Sequence, residues 1–296
     1  MIISDERRTA DFELLEVARM KARRQIQGLE VRRYEVELLE SAKARVPPGV
    51  KPRQVAFLHI MKTAGTTVHH YLRASMPGVP VFTGDGKRYD RVSSERLALY
   101  GLVLGHFSWQ HVAKMRDPFL ITFLRDPVER VLSFYSHLAN LPVKPNDSLD
   151  VVTIRNMTIG EFIRSENPIV AQYVENQQSW AVALDWRSPR PGMSAAALAR
   201  AATDNLKRMD FVGVAEQTDA DVRRLAKRFA LPSPEAVPRR NLTANRISRD
   251  QLANADLEVL RERNEADFLL YQEALGMRRR GAGLRATLLR LFPALA

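Results

Sequence analysis

The fold of this chain is set by one stretch, Val55-Ala-Phe-Leu-His-Ile-Met-Lys-Thr-Ala-Gly-Thr-Thr-Val68. Its apolar start, residues 55–60, is typical of a buried β-strand, and the residues from Val68 onward have the pattern of a helix. A short turn, residues 62–67, joins the two. N–H groups at the start of a helix lack intrahelical acceptors, and the helix dipole there favours an anion. The stretch therefore predicts a strand–turn–helix unit that binds a phosphate.

The turn differs from the loop of nucleotide triphosphatases, G-x-x-x-x-G-K-[ST], in which lysine follows the glycines. Here Lys62 comes before Gly65, the only glycine of the turn. We expect Gly65 to let the backbone approach a ligand, because it has no Cβ. Thr66 and Thr67 add hydroxyl donors, and Lys62 adds a point charge. The alternative is an ordinary strand–turn–helix with a solvated lysine.

The amino-acid composition limits the classes of protein to which the chain can belong. The chain has 296 residues, of which 45% are hydrophobic, enough for one large α/β domain with appendages. It has no cysteine, which excludes disulfides and thiolate metal sites. The net charge of +11 favours an anionic ligand, nucleic acid or an acidic membrane surface, although charge alone names no partner. No signal pattern and no long apolar run occur, so we expect a cytoplasmic protein without a membrane span.

Apolar runs predict strands over 55–60, 79–82, 101–107, 119–124 and 211–215. Helical patterns lie between and after them, over 93–100, 125–135, 158–165, 169–184, 194–209, 218–229 and 249–275, with a turn over 83–86 and a loop over about 140–155. This alternation predicts a three-layer α/β/α domain with a central, mainly parallel sheet. Ligands bind beyond the carboxyl ends of such strands. Lys62, His106 and Arg125 all fall at such ends.

Three segments follow from these patterns. Residues 1–48 carry an apolar stripe at seven-residue spacing and are predicted to form an amphipathic helical extension, on which the oligomeric state depends. Residues 49–276 form the α/β domain. Residues 277–296 are a basic tail, frayed by default, for which a weak contact with an anionic surface is an alternative.

A second motif, Arg125-Asp-Pro-Val-Glu-Arg-Val-Leu-Ser133, follows directly after the predicted strand 119–124. Arg125 presents a planar fork suited to a phosphate dianion, and Ser133 donates a hydroxyl from the helix that follows. The chain thus has two phosphate-binding elements, each placed directly after a buried strand.

Together the two motifs resemble those of sulfotransferases that use 3′-phosphoadenosine 5′-phosphosulfate (PAPS). The turn 62–67 resembles their 5′-phosphosulfate loop, and Arg125 to Ser133 resembles their 3′-phosphate element, R-x-P-x-x-R-x-x-S. From about Gln54 to Leu275 the chain is similar to the carbohydrate group that includes the heparan and chondroitin uronyl 2-O-sulfotransferases and bacterial relatives. Met61 stands where the family usually has proline, and we expect from this only a small change in loop stiffness.

The resemblance implies transfer of the sulfuryl group of PAPS to a hydroxyl of a carbohydrate or glycoconjugate, without a metal and without a nucleic acid partner. Lys62 would then contact the bridging oxygen, residues 64–67 the 5′-phosphate, and Arg125 and Ser133 the 3′-phosphate. We predict His106 as the general base, since neutral imidazole titrates near neutrality. Uronyl members have H-G-H at this position, whereas this chain has Leu104-Gly105-His106.

A late basic loop, residues 239–246, corresponds to one that closes over the nucleotide in the family. The predicted nucleotide-binding residues are Lys62, Thr63, Ala64, Gly65, Thr66, Thr67, Arg125, Ser133, Arg239, Arg240 and Thr243. We interpret His59 as a core histidine, His137 as a surface residue and His111 as a weaker second candidate for the base. Trp180, Trp186 and Arg187 either contact a sugar or belong to the core.

Two other functions fit parts of the sequence. A nucleotide kinase would need lysine after the glycine and a strand-end aspartate for Mg²⁺, for which Asp126 is the nearest candidate. A non-catalytic basic binder would use the arginine-rich tail and the late loop, with salt-dependent affinity. It leaves the ordered turn and the spacing from Arg125 to Ser133 unexplained. The sequence leaves the acceptor and the oligomeric state open.

Overall fold

A computed structural model describes residues 53–144, 147–187, 192–234, 237 and 246–291, with side chains described as far as residue 280. Apart from residues 78–80, the described residues belong to one compact unit, and the description below concerns that unit. The predicted extension over residues 1–48 lies outside the described residues. So do Arg239, Arg240 and Thr243.

The sheet has five strands in the order β2-β3-β1-β4-β5, and every pair of neighbours is parallel. The strands are β1 (Val55–Leu58), β2 (Val81–Asp85), β3 (Leu102–His106), β4 (Phe119–Leu124) and β5 (Phe211–Val214). All residues of β1 and β5 are buried, because helices cover both faces of the sheet. The five predicted strands and the three-layer α/β/α architecture are confirmed, although the strand predicted over 79–82 spans Val81–Asp85.

The helices that follow or separate the strands are, in chain order, α1 (Gly65–Ser75), α2 (Gly86–Arg91), α3 (Ser94–Leu97), α4 (Pro127–Ala139), α5 (Leu149–Arg155), α6 (Ile159–Arg164), α7 (Pro168–Val174), α8 (Gln177–Ala183), α9 (Ala195–Leu206), α10 (Thr218–Arg228), α11 (Asn254–Arg263) and α12 (Glu265–Leu291). Short 3₁₀ helices span Trp109–Lys114, Ala215–Gln217 and Arg249–Gln251. The predicted helix 93–100 is shorter than expected, because only α3 forms there.

Two segments predicted to be irregular contain regular structure. The turn expected over 83–86 is instead the end of β2 followed by α2. Asp85 caps the N-terminus of α2, because its side chain accepts a hydrogen bond from the Arg88 N–H at 3.0 Å. The loop expected over 140–155 ends in α5. Ile154 of α5 is fully buried and packs with the apolar residues of α4. A short helix with few buried positions carries too little periodicity to be recognised in the sequence.

Two long predicted helices are broken. The segment 169–184 divides into α7 and α8 at Asn176, which has the left-handed φ of 45°. Its side chain accepts from the Asp267 N–H at 3.1 Å, and its own N–H donates to Asn264 at 3.3 Å. The segment 249–275 divides into a 3₁₀ turn, α11 and α12 beside the buried Asn264, and α12 continues to Leu291. Tertiary hydrogen bonds between the two breaks thus override local helix propensity.

The topology places the candidate residues at one edge of the sheet. β1 is central and pairs with β3 on one side and with β4 on the other. Because all three strands are parallel, the turn after β1, His106 at the end of β3 and Arg125 after β4 lie at the same edge.

Candidate active site

The carboxyl ends of the central strands open into a cleft of about 910 Å³. This volume is in the range of small-molecule sites. Of the residues predicted from the sequence, the cleft is lined by Lys62, Ala64, Gly65, Thr66, Thr67, His106, Arg125 and Ser133. Thr63 is the exception among the predicted turn residues: it is fully buried, and its hydroxyl donates to the Ile60 carbonyl at 2.9 Å.

The turn after β1 has a strained backbone. Lys62 and Ala64 have φ values of 69° and 65°, in the left-handed region that residues with a Cβ rarely adopt. The carbonyl of Ala64 accepts from the N–H groups of Thr67 and Val68 and so starts α1. Strain of this kind costs on the order of 1 kcal/mol or more for each residue and concentrates at functional sites.

A neighbouring side chain leaves no space for a Cβ at position 65, so this position needs glycine. A Cβ at this position would lie 1.8 Å from Cδ2 of His59, closer than any real contact. The expectation that Gly65 gives a ligand access to the backbone is therefore incomplete, because a protein ring already occupies the space beside it. Any larger residue at position 65 has to displace His59.

The two elements predicted to bind phosphate touch. Nη1 of Arg125 donates to the Lys62 carbonyl at 3.1 Å. The backbone of Arg125 is held by Gln178, which accepts from its N–H and donates to its carbonyl, both at 2.9 Å. Ser133 is buried on α4 and faces the cleft. A single ligand can therefore reach both elements.

The second arginine of the motif has a structural role. Arg130 is fully buried and donates to the Gln177 side chain at 2.7 Å and to the Tyr173 carbonyl. These contacts tie α4 to α7 and α8. Of the two arginines in the motif, Arg125 is the one that lines the cleft.

Burial and neighbouring cations lower the affinity of Lys62 and Arg125 for protons. The pKa of Lys62 is lowered to about 8, first by burial and then by Arg125 and Arg246. The pKa of Arg125 is also lowered, first by burial and then by Arg246, while Glu216, Glu129 and Asp126 oppose the shift. Cations held this close together, two of them partly buried, favour the binding of an anion.

His106 has the geometry of a base. Its Nδ1 lies 2.8 Å from the His59 carbonyl. A carbonyl oxygen can only accept, so Nδ1 carries the proton and Nε2 of the neutral ring is the atom able to take one. Burial lowers the pKa of His106, although the bond to His59 and the nearby Asp85 oppose this. The ring is therefore neutral at neutral pH.

Comparison with known proteins agrees with this geometry. The model of the sulfotransferase family matches residues 50–272, about three quarters of the chain. The chain belongs to the sulfotransferase family. Its activity is accordingly the transfer of a sulfuryl group to an acceptor. A search of curated proteins found no match.

The sulfotransferase cleft contains residues that the sequence did not reveal as site residues. His59, interpreted as a core histidine, and His137, interpreted as a surface residue, both line it, as do Glu129, Glu216 and Arg246. The spacing of His137 from Ser133, one helical turn, could have indicated it. Arg246 ends the basic loop predicted to close over the nucleotide, and it forms an ion pair with Glu129.

Other candidates have structural roles in the sulfotransferase. His111 is buried, accepts at Nδ1 from the Ser108 N–H at 3.0 Å and lies 2.8 Å from an Asp90 carboxylate oxygen. Trp180 is a core residue, and Trp186 packs against the core clusters. Arg187 pairs with Asp185 and Asp90, at 3.1 and 3.2 Å. None of the four lines the described cleft.

Asp126, the candidate metal ligand of a kinase, is engaged in the fold. Its carboxylate accepts from the Glu129 N–H at 3.0 Å, which caps α4, and lies 3.1 Å from Arg249.

Among the described residues no helix is long and apolar enough to cross a membrane.

Proposed function

We propose that this sulfotransferase moves the sulfuryl group of PAPS to a hydroxyl of a carbohydrate or glycoconjugate. The observation that carries the proposal is the 3.1 Å contact between Arg125 and the Lys62 carbonyl. It brings a strand–turn–helix anion site and an arginine–serine pair to one cleft. A nucleotide with phosphates at both its 3′ and its 5′ position has the two anionic ends that such a cleft would bind.

The residues of the cleft fit this nucleotide. The first turn of α1 suits a 5′-phosphate, because helix N-termini present N–H groups and a favourable dipole. Arg125 and Ser133 suit the 3′-phosphate, since a guanidinium and a hydroxyl both donate to phosphate oxygens. Arg246 adds a third cation at the rim. For Arg239, Arg240 and Thr243 we keep the proposal that they close over the nucleotide.

The chemistry supplied by PAPS is a sulfuryl group activated by its 5′-phosphate. The acceptor oxygen forms the new S–O bond while the S–O bond to that phosphate breaks, and the bisphosphate nucleotide leaves. His106 Nε2 takes the acceptor proton, and protonated Lys62 stabilises the charge that develops on the bridging oxygen. At neutral pH a lysine with a pKa of about 8 is charged and His106 is neutral, so both residues hold the required state.

A carbohydrate acceptor is supported by the similarity of the two motifs to those of the uronyl group. The net charge of +11 adds support for an anionic glycan, since opposite charge accelerates encounter. The kinase alternative is not favoured, because Asp126 caps α4 and pairs with Arg249.

Radiolabelled PAPS tests the proposal. The protein is incubated with it and with a panel of purified glycans and cell extracts, and the labelled product is identified. We expect label in a carbohydrate together with release of adenosine 3′,5′-bisphosphate. Lys62→Ala should abolish labelling, whereas Lys207→Ala, an exposed lysine at the end of α9, should not. Labelling that is equal in Lys62→Ala and wild type would contradict the proposal.

A further inference from the structure

The ring of His59 lies between the two working parts of the cleft. Its centroid is 4.2 Å from that of His106. The His59 ring also contacts the phosphate-binding turn, where its Cδ2 and Nε2 atoms occupy the space that a Cβ at Gly65 would need. The base and the turn come from different strands, and this ring spans the gap between them.

His59 is itself held firmly. Its ring stacks on Phe57 with centroids 5.4 Å apart and an angle of 10° between the planes. Its N–H donates to the Gly105 carbonyl at 3.0 Å, and its carbonyl accepts from His106 Nδ1 at 2.8 Å. Gly105 has a φ of 139°, and a Cβ there would lie 2.1 Å from the Gly84 carbonyl oxygen. The backbone around His106 is therefore fixed by both neighbouring strands.

We propose that His59 is a positioning residue, whose ring fixes the distance between the base His106 and the phosphate-binding turn at Gly65 and shields His106 from water. The inference rests on the proposed function, because it assigns His106 as the base. It differs from a catalytic role, since His59 acts through His106 and Gly65.

The charges around the two rings support a neutral spacer. His59 is faced by His106 of β3, His69 of α1 and Lys62 of the turn. Burial lowers its pKa well below the usual range, and these three groups lower it further, in that order. His106 is faced in addition by Asp85 of β2, which acts in the opposite direction. A spacer that stays neutral adds no charge beside the base.

The contact with Gly65 is tested by a double-mutant cycle on thermal unfolding. Gly65→Ala should lower Tm by about 5 °C or more, because the new methyl group overlaps the His59 ring. In a His59→Ala background the ring is gone, so Gly65→Ala should lower Tm by less than half as much. Additive losses would overturn the contact.

The effect on the base is tested by NMR titration of His106, whose signal is assigned with His106→Gln. In His59→Ala, water reaches the ring, and the pKa of His106 should rise by about 0.3 or more. His59→Leu restores an apolar side chain of similar volume and should return the pKa towards the wild-type value. His70→Ala, an exposed neighbour on α1, is the control and should leave it unchanged. A smaller rise in His59→Ala would overturn the proposal. If His59→Ala does not fold, His59→Leu decides alone. A His106 pKa equal to the wild-type value in His59→Leu supports the proposal, and a raised pKa overturns it.

Kinetics separate positioning from a general loss of structure. In His59→Ala, kcat should fall about tenfold or more, while Kd for adenosine 3′,5′-bisphosphate stays within about threefold. A Kd that weakens as much as kcat would show that His59 supports only the nucleotide site, which overturns the proposal. If wild-type protein transfers no sulfuryl group, the proposed function fails, but the titration and the double-mutant cycle still decide the placement of His59.

Discussion

Two groups of side chains in this protein differ in how their charges are arranged. The first, here called the ion-pair cluster, consists of Asp90, Asp185 and Arg187, with the ring of His111 against Asp90. Arg187 lies 3.1 Å from Asp185 and 3.2 Å from Asp90, and His111 lies 2.8 Å from Asp90. Asp185 is only 3% exposed and also accepts from the Ser108 hydroxyl at 2.9 Å. Opposite charges here face one another directly.

The second group, the cleft cations, consists of Lys62, Arg125 and Arg246. Burial, and then repulsion by the neighbouring cations, lowers the pKa of Lys62 and of Arg125. Glu129 interacts with two of them, since it pairs with Arg246 and lies 3.8 Å from Arg125. Like charges held close together cost stability unless an anion binds between them. From this contrast we infer that the ion-pair cluster stabilises the fold, whereas the cleft cations bind an anionic ligand.

The largest effect expected is on catalysis. Lys62→Ala removes the charge nearest to the proposed leaving group, and kcat should fall by about 10²–10³-fold, as for loss of one preorganised donor. Because the change relieves repulsion among the cleft cations, Tm should stay constant or rise. Steady-state sulfuryl transfer and a thermal melt measure the two quantities. A large drop in Tm would place Lys62 with the structural charges instead.

Next in size is the effect of Arg125 on nucleotide binding. Arg125→Ala should weaken Kd for adenosine 3′,5′-bisphosphate by about 30-fold or more, as for loss of a charge-assisted contact, but should weaken Kd for adenosine 5′-phosphate much less. Calorimetry with both nucleotides checks this. Arg208→Ala, outside the cleft and stacked on Trp109, serves as the control. Equal losses for both nucleotides would show that Arg125 does not contact the 3′-phosphate.

Much of the fold and part of the cleft could be predicted from the sequence, for identifiable reasons. Strands such as 119–124 are buried on both faces, so they form continuous apolar runs with clear ends. Lys62, His106 and Arg125 follow such strands directly, and parallel topology brings them together. The breaks at Asn176 and Asn264 depend on hydrogen bonds to residues almost 90 positions away, which no local pattern encodes.

The same limit explains the residues that were missed. His59 lies within a strand-like run, and its neighbour His106 is 47 positions further along the chain. Only the pairing of β1 with β3 brings the two rings into contact. Arg130 belongs to the recognised motif, yet its burial depends on α7 and α8, which pack around it.

A moderate effect on stability is expected from the ion-pair cluster. Asp185→Ala leaves the buried Ser108 hydroxyl without this acceptor and removes one partner each of Gln110 and Arg187, so the free energy of unfolding should fall by about 2–4 kcal/mol. Kd for adenosine 3′,5′-bisphosphate should stay within about twofold. Denaturant titration and calorimetry measure the two. Weakened binding in a protein that remains folded would break the separation between the two groups.

The smallest effect concerns pH. The pKa of Lys62 is about 8 in the free protein, and a bound phosphate should raise it, because opposite charge favours the protonated form. Affinity for adenosine 3′,5′-bisphosphate should therefore be greatest below pH 8 and fall above it, by at most about tenfold per pH unit. Lys62→Arg should remove this fall, since arginine stays charged. A pH-independent Kd in wild type between pH 7 and 9.5 would contradict the role of Lys62.

The most direct test of the central claim is calorimetric titration of the intact protein with adenosine 3′,5′-bisphosphate at low salt. If one nucleotide contacts both the turn at Lys62 and the pair Arg125–Ser133, binding should occur at a single site and be at least about tenfold tighter than for adenosine 5′-phosphate or adenosine 3′-phosphate. No binding of the bisphosphate, or binding no tighter than that of either monophosphate, would contradict the account.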